Sequence, residues 1–340
     1  MLTNVSNPML DAVRGTSSHF QVGWDAATAI PSSEAAIDYV TVCGMGGSAF
    51  PGDIINAVYG AKIRINVNRD YVVPSQPGRG LFIVSSFSGN TEETVAALDS
   101  LIERGDEIVI VTAGGKLVER ARSHGIPLVL LEKPSPTFQP RAASGIFVGA
   151  FLKVLCGYGL LDSDTVLADL RACSDAVVGA EGLEHQGVAF AASLEERTPI
   201  FYADGPFVET VAQVSKIKFN ENAKIPSFYG ALPEFNHNEM VGYTQRADRF
   251  HCVFFRNPKS AARALTRLDT SVNTLRKHGA NVSVIELMGP TLLAQIYLAL
   301  LVMDYASIAA AFARDIDPNP VAMVEDFKAD LGAFEGYQAP

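Results

Sequence analysis

The sequence predicts an α/β protein with two parallel sheets, each sandwiched between helices. The strand candidates are continuous apolar runs rather than alternating ones, the mark of strands buried on both faces. A helical pattern separates most of them from the next, the rhythm of parallel strands joined by crossovers. The second half of the chain then repeats that rhythm, with its strands in the same order and at similar separations.

Taken in order, an N-terminal helical region leads into strands over 39–43, 64–67, 81–85, 107–111 and 128–131, with helices near 53–59, 92–104 and 116–124. A long helix within 142–159, built around Ile146-Phe147-Val148-Gly149-Ala150-Phe151, joins the two halves. The second half reads as helix 187–197, strand 199–203, helix 207–223, strand 250–255, helix 260–278, strand 281–287 and helix 291–314. The expected domains are therefore 1–155 and 156–340, a duplicated fold whose second copy lacks the serine-rich turn described below.

Composition narrows the function. A chain of 340 residues, 48% hydrophobic and 19% charged, is long and apolar enough for two ordinary globular domains. Its formal net charge of -10 argues against nucleic acid or an anionic membrane as partner. An anionic metabolite remains acceptable if local donors meet it. The four cysteines, Cys43, Cys156, Cys173 and Cys252, form no C-x-x-C pair, which fits a reducing cytosol rather than a disulfide framework or a zinc cluster. The six histidines show no H-x-x-x-H or H-E-x-x-H spacing, so no metal site is expected. Residues 1–30 contain Asp11, His19 and Asp25 and lack a long apolar core, so they do not read as a signal peptide, and the expected location is cytoplasmic. The stretch 292–312 is almost wholly apolar, but Asp304 at its middle would be costly in lipid. It reads as a helix buried in a core or a subunit interface.

One stretch interrupts the rhythm with chemistry. Ser86-Phe87-Ser88-Gly89-Asn90-Thr91 stands between the apolar run Leu81-Phe82-Ile83-Val84 and a helical pattern that opens on Glu92-Glu93. At such a corner unpaired backbone N–H groups converge, the helix dipole favours negative charge, and each hydroxyl has one hydrogen bond to donate. It reads as a phosphate cradle; the alternative is ordinary turn and N-cap chemistry. A second corner, Gly44-Met45-Gly46-Gly47-Ser48, follows the first strand. Its spacing departs from G-x-G-x-x-G, which makes a dinucleotide site the weaker reading.

In the second half, Glu221 closes a helix and His237 stands in a loop rich in Pro and Asn. A carboxylate and an imidazole near a phosphate site suit sugar-phosphate isomerisation, which must move a carbon-bound proton and hydroxyl protons. Alternatively, Glu221 is a solvated helix-end charge and His237 a loop residue.

Five motifs in register add a resemblance. They are Gly44-Met45-Gly46-Gly47-Ser48, Ser86-Phe87-Ser88-Gly89-Asn90-Thr91, Pro140-Arg141-Ala142-Ala143-Ser144-Gly145, Asn220-Glu221-Asn222-Ala223-Lys224 and Glu234-Phe235-Asn236-His237-Asn238-Glu239. Together they resemble the bifunctional phosphoglucose/phosphomannose isomerase family of the sugar isomerase (SIS) superfamily, over most of the chain. The resemblance implies two SIS domains, each a flavodoxin-like parallel sheet sandwiched by helices. It also implies a homodimer with the active site at subunit and domain interfaces, and no metal or redox cofactor.

Residue by residue, the resemblance puts the 6-phosphate of the sugar on Gly47, Ser48, Ser86, Ser88 and Thr91. It makes Glu221 the base between C2 and C1 and sets Arg141 against the enediolate. His237, from the neighbouring subunit, acts with a C-terminal lysine in ring opening. The nearest match to that lysine is Lys328 in Phe327-Lys328, where the family has a leucine-lysine pair; a solvated surface charge is the other reading. The family also places a threonine near the sugar ring in this region, and 318–327 here contains no Ser or Thr. The implied reaction interconverts glucose 6-phosphate, with mannose 6-phosphate as second aldose, and fructose 6-phosphate. The alternatives are a non-catalytic sugar-phosphate-binding SIS regulator, or an isomerase of another phosphosugar. Regulators of that kind usually carry a DNA-binding module, and no basic helix-turn-helix is evident here.

Overall fold

A computed structural model describes residues 2, 5–28, 30, 36–133, 138–334 and 336–337, with the side chains of Pro206 and Phe207 excepted. The chain forms two compact units: Gly15–Arg171 with Pro320–Pro340, and Met1–Arg14 with Ala172–Asn319. The units part between Arg171 and Ala172, within the helix Ser163–Gly179, and not at the expected 155/156, which falls in the preceding helix Ser144–Gly157. Each terminal segment also belongs to the unit built from the opposite half of the chain.

In the unit centred on the first half, helix α2 (Thr16–Ala26) precedes a five-stranded sheet. Its strands are β1 (Tyr39–Cys43), β2 (Arg64–Asn68), β3 (Gly80–Ser86), β4 (Glu107–Thr112) and β5 (Leu128–Leu130), in the order β2-β1-β3-β4-β5 and all parallel. Every residue of β1 and β3 is buried, which is why both read as unbroken apolar runs. Helices α3 (Phe50–Tyr59), α4 (Glu92–Arg104) and α5 (Gly115–His124) make the crossovers. Helix α6 (Ser144–Gly157) packs on α2 at very short range: a Cβ on Gly23 would stand 1.8 Å from the Ile146 carbonyl oxygen, and one on Gly149 2.1 Å from that of Phe20.

The long helix α7 (Ser163–Gly179) runs on from there. The other unit opens with α1 (Pro8–Arg14) and continues with α8 (Leu183–Leu194). Its four strands, β6 (Thr198–Asp204), β7 (Phe228–Leu232), β8 (Phe250–Arg256) and β9 (Asn281–Glu286), are parallel in the order β7-β6-β8-β9. Numbered within its own unit this is 2-1-3-4, the order of the first four strands of the other sheet, as a duplicated fold requires. Around it lie α9 (Pro206–Lys218), α10 (Glu239–Gly242), α11 (Ala262–Lys277) and α12 (Leu292–Phe312), while α13 (Ala322–Leu331) returns to the first unit.

Helix α12 is long and apolar enough to cross a membrane, yet 83% of its most apolar window is buried inside the protein. Asp304, which argued against lipid, pairs there with Lys218 of α9. The helix expected over 207–223 ends earlier: α9 stops at Lys218, and Phe219–Ala223 form a π-helical turn.

Candidate active site

In the order β2-β1-β3, connections leave in opposite directions from β1 and β3, and the crevice between their carboxyl ends is where ligands bind in open parallel sheets. Both glycine- and serine-bearing corners emerge there. After β1, Gly46–Ser48 form a short 3-10 turn, with Gly46 at φ +47°. A Cβ on Gly47 would lie 3.0 Å from the Arg141 backbone nitrogen, so the missing side chain lets the Pro140–Ala142 turn press against this one. Cys43, just before the corner, is fully buried, and burial pushes its thiol up to about 12, which keeps it an inert core residue.

The two corners are tied together by the Ser48 hydroxyl, which accepts from the Phe87 N–H at 3.0 Å. After β3 the chain turns tightly through Gly89 at φ +70°, where a Cβ would overlap the Gly114 carbonyl oxygen at 1.7 Å. Ser86 Oγ accepts from the Gly89 N–H at 3.1 Å and lies 2.8 Å from Thr91 Oγ1 and 3.3 Å from Ser88 Oγ. The Ser86 hydroxyl is thus within hydrogen-bonding reach of both the Ser88 and the Thr91 hydroxyls at the start of α4. Thr91 is the N-cap residue of α4, but its side chain makes no capping bond. The hydroxyl is not spent on the helix.

Arg141 is 4% exposed, and its Nη1 donates to Gln139 Oε1 at 2.7 Å. A guanidinium so buried, backing onto the glycine corner, is a fixed charge rather than a roaming surface group. Ser48, Ser86, Ser88, Thr91 and Arg141 therefore gather in one unit around adjoining turns.

Glu221 and His237 belong to the other unit. Glu221 is half-buried on the π-helical turn, and the residues around it are held from several directions. Asn220 Oδ1 accepts from the Ser227 N–H at 2.8 Å, Asn222 Nδ2 donates to Ser307 Oγ at 3.0 Å, and Lys224 Nζ donates to the Glu221 carbonyl oxygen. Lys224, at φ +55°, ends the turn. His237 is exposed at the end of the 3-10 turn Glu234–His237, with the fully buried Phe235 as anchor. Its neighbours are fixed: Asn236 donates to Ser271 Oγ at 2.7 Å and accepts from Arg267 at 3.2 Å, and Asn238 caps α10. Nearby, burial holds the Asp204 carboxyl above its usual range, with Arg267 opposing.

Lys328 is an exposed residue of α13, paired with Glu325 at 2.7 Å, and none of that helix is buried. Within one chain it is a solvated surface charge. Among the described residues, no group of three or more His, Cys, Asp or Glu is placed to hold a metal ion. Reading the sequence assigned no site role to Lys218, Asn222, Ser307 or Gln139, although Asn222 stands in the Asn220–Lys224 motif; the one available signal for the pairing was the carboxylate of Asp304 in an otherwise apolar helix.

Comparisons with known proteins bear on the family and the fold. Residues 184–331 match the family model of the bacterial phospho-glucose isomerase C-terminal SIS domain. The chain is similar to the bifunctional phosphoglucose/phosphomannose isomerase of Caldicellulosiruptor bescii, 30% identical over 327 residues that cover 92% of this chain and 94% of that one. It is also similar to the D-glucosamine-6-phosphate 4-epimerase of Sulfolobus acidocaldarius, 30% identical over 227 residues, 65% of this chain and 69% of that one. Among solved structures, the C-terminal domain of glucosamine-fructose-6-phosphate aminotransferase from Francisella tularensis superposes with a TM-score of 0.71 at 12% identity, covering 94% of this chain and 99% of that one, a likeness of fold alone. By its near full-length match, its two parallel sheets and its serine-bearing corner, the chain belongs to the bifunctional phosphoglucose/phosphomannose isomerase family.

Proposed function

We propose that the protein interconverts glucose 6-phosphate and mannose 6-phosphate with fructose 6-phosphate through a shared cis-enediol. The observation that carries this reading is the trio of Ser86, Ser88 and Thr91 hydroxyls gathered at the start of α4, with Thr91 leaving the helix uncapped. Hydroxyls and backbone N–H groups at a helix N-terminus suit a phosphate dianion.

In this reading Gly47, Ser48, Ser86, Ser88 and Thr91 grip the 6-phosphate. Glu221, as carboxylate, takes the C2 proton of the open-chain aldose and returns it to C1, while the O2 proton moves to O1. The aldoses differ only at C2, and loss of that proton gives both the same enediol, so one base serves both. Arg141 offers fixed positive charge where the enediolate develops. His237 and Lys328 move hydroxyl protons as the ring opens.

The exposure of His237 and Lys328 in one chain suits a homodimer in which a neighbouring subunit completes the site, with His237 crossing over. Helix α13 supports it: Met323, Val324, Phe327 and Leu331 leave an apolar stripe exposed. Each compact unit corresponds to one SIS domain, and the expected location is cytoplasmic. A coupled assay with purified protein tests the reaction directly. Absence of interconversion among the three hexose phosphates would sink the proposal. Turnover of an amino-sugar phosphate instead would move the chain toward its epimerase relative.

A further inference from the structure

Lys218, on the last turn of α9, and Asp304, in the middle of the apolar α12, form an ion pair that is almost wholly removed from water, with exposures of 2% and 5%. Buried ion pairs seldom add net stability over apolar residues of similar size, because desolvating two charges offsets their attraction. A position in an otherwise apolar helix would serve the fold as well with a leucine. What the pair does give is a fixed point of contact between two helices, and its place relative to Glu221 is specific.

The π-helical turn begins at the next residue, Phe219. Its signature bond runs from the Lys224 N–H to the Phe219 carbonyl, five residues apart. Such a turn carries one residue more than an α-helix would, so relaxing it to α geometry would rotate the residues within it by roughly 100° about the axis. Glu221 would point elsewhere. Two fastenings oppose that rotation, and both end on the same face of α12. Lys218 Nζ holds the Asp304 carboxylate before the turn, and Asn222 Nδ2 donates to Ser307 Oγ within it at 3.0 Å. Ser307 Oγ in turn donates to the Asp304 carbonyl oxygen at 3.0 Å, so the two fastenings converge on one residue. Lys218 and Asn222 are spaced i,i+4 and Asp304 and Ser307 i,i+3, each pair the spacing of neighbours on one helix face. Glu221, next to Asn222, is thereby set off to the side of that seam and half-exposed.

We propose that the buried Lys218–Asp304 pair and the Asn222–Ser307 bond are positioning residues that hold Glu221 in its π-turn orientation. This rests on Glu221 being the base that moves the C2 proton. Neither fastening touches substrate in this account; both act through the backbone that carries the carboxylate.

The test compares Ser307→Ala, the double variant Lys218→Met/Asp304→Leu, and Glu221→Gln, all in the full chain. The double variant replaces both charges with apolar groups, so it leaves no unpaired buried charge. The readouts are the melting temperature, kcat and KM for fructose 6-phosphate. Positioning predicts folded variants whose kcat falls roughly 10- to 100-fold, because small misplacements of a reacting group have effects of that size, with KM within about twofold. A purely structural seam would lower the melting temperature and leave kcat per folded molecule unchanged, which overturns the proposal. Unchanged kcat in both seam variants alongside a dead Glu221→Gln sinks the positioning role alone. Full turnover by Glu221→Gln sinks the reading of Glu221 as base and the proposal with it. Should the double variant fail to fold, Ser307→Ala, which deletes one hydroxyl, decides.

Discussion

Thr91 occupies the N-cap of α4, yet its Oγ1 lies 2.8 Å from the Ser86 hydroxyl and makes no bond to the helix it begins. An N-cap threonine normally contributes about 1 kcal/mol by satisfying a free N–H. Here that contribution is absent, and the hydroxyl meets Ser86 instead.

It follows that Thr91→Val changes affinity and not stability. Hydrogen bonds to charged groups are worth roughly 1.5–3 kcal/mol, so KM for the sugar phosphate is expected to rise about 10- to 100-fold. The melting temperature should move by less than about 2 °C, since no cap is lost. Steady-state kinetics and a thermal melt on the same preparation check both. A large drop in melting temperature with unchanged KM would return Thr91 to ordinary capping.

Gly47 and Arg141 give a second prediction. A Cβ at 3.0 Å from the Arg141 nitrogen forces the Pro140–Ala142 turn back by a few tenths of an ångström. Gly47→Ala is expected to lower kcat if Arg141 acts, as proposed, where charge grows in the transition state, because such donors lose effect quickly when displaced. Arg141→Lys, which retains charge but loses the planar fork, should act in the same direction. If Gly47→Ala leaves kcat unchanged, the contact between the turns has no catalytic consequence.

How much of this was legible in the sequence depended on burial. β1 and β3 lie at the centre of their sheet, and their unbroken apolar runs announced them and the corners that follow. β7 escaped notice because it is an edge strand, exposed at Phe228 and Tyr229 and flanked by Pro226 and Pro233, so neither alternation nor an apolar run marks it. α7 was missed for want of a clear apolar stripe among its mixed residues. The π-turn was not readable either: 219–223 continues the helical pattern, and what distinguishes it is the backbone bond from the Lys224 N–H to the Phe219 carbonyl, which no side-chain pattern announces. Nor does local composition tell which core a terminus will join, so the exchange of terminal segments between units stayed hidden.

His19 of α2 yields a pH prediction. It is buried against Gly145, its Nδ1 finds no hydrogen-bond partner, and burial lowers its pKa from 6.5 to about 4. The folded chain keeps this ring neutral, whereas the unfolded chain protonates it below about pH 6.5. Between those values the unfolded state binds the extra proton, so stability is fully present above 6.5 and declines as pH falls toward 4, by up to about 3 kcal/mol. Burial lowers the pKa of His251 too, with the same sign. Urea midpoints measured from pH 7 to pH 4.5 should fall, and His19→Leu should flatten the slope. An equal slope in that variant would assign the acid sensitivity elsewhere.

Whether His237 is shared across a dimer, as proposed, can be tested by complementation. Glu221→Gln and His237→Ala homodimers are each expected to lose turnover by roughly 10²–10⁴-fold, the usual contribution of a general base or acid. Suppose each site takes Glu221 from one chain and His237 from its partner. A mixed dimer then has one site with both lesions and one with neither. Unfolding and refolding the two variants together at equal amounts gives mixed dimers in half of the population by statistics, so about a quarter of wild-type activity should return. If His237 instead serves the Glu221 of its own chain, every site in every dimer carries one lesion and nothing returns. A monomer gives the same silence, and sedimentation of the wild-type protein separates those two outcomes.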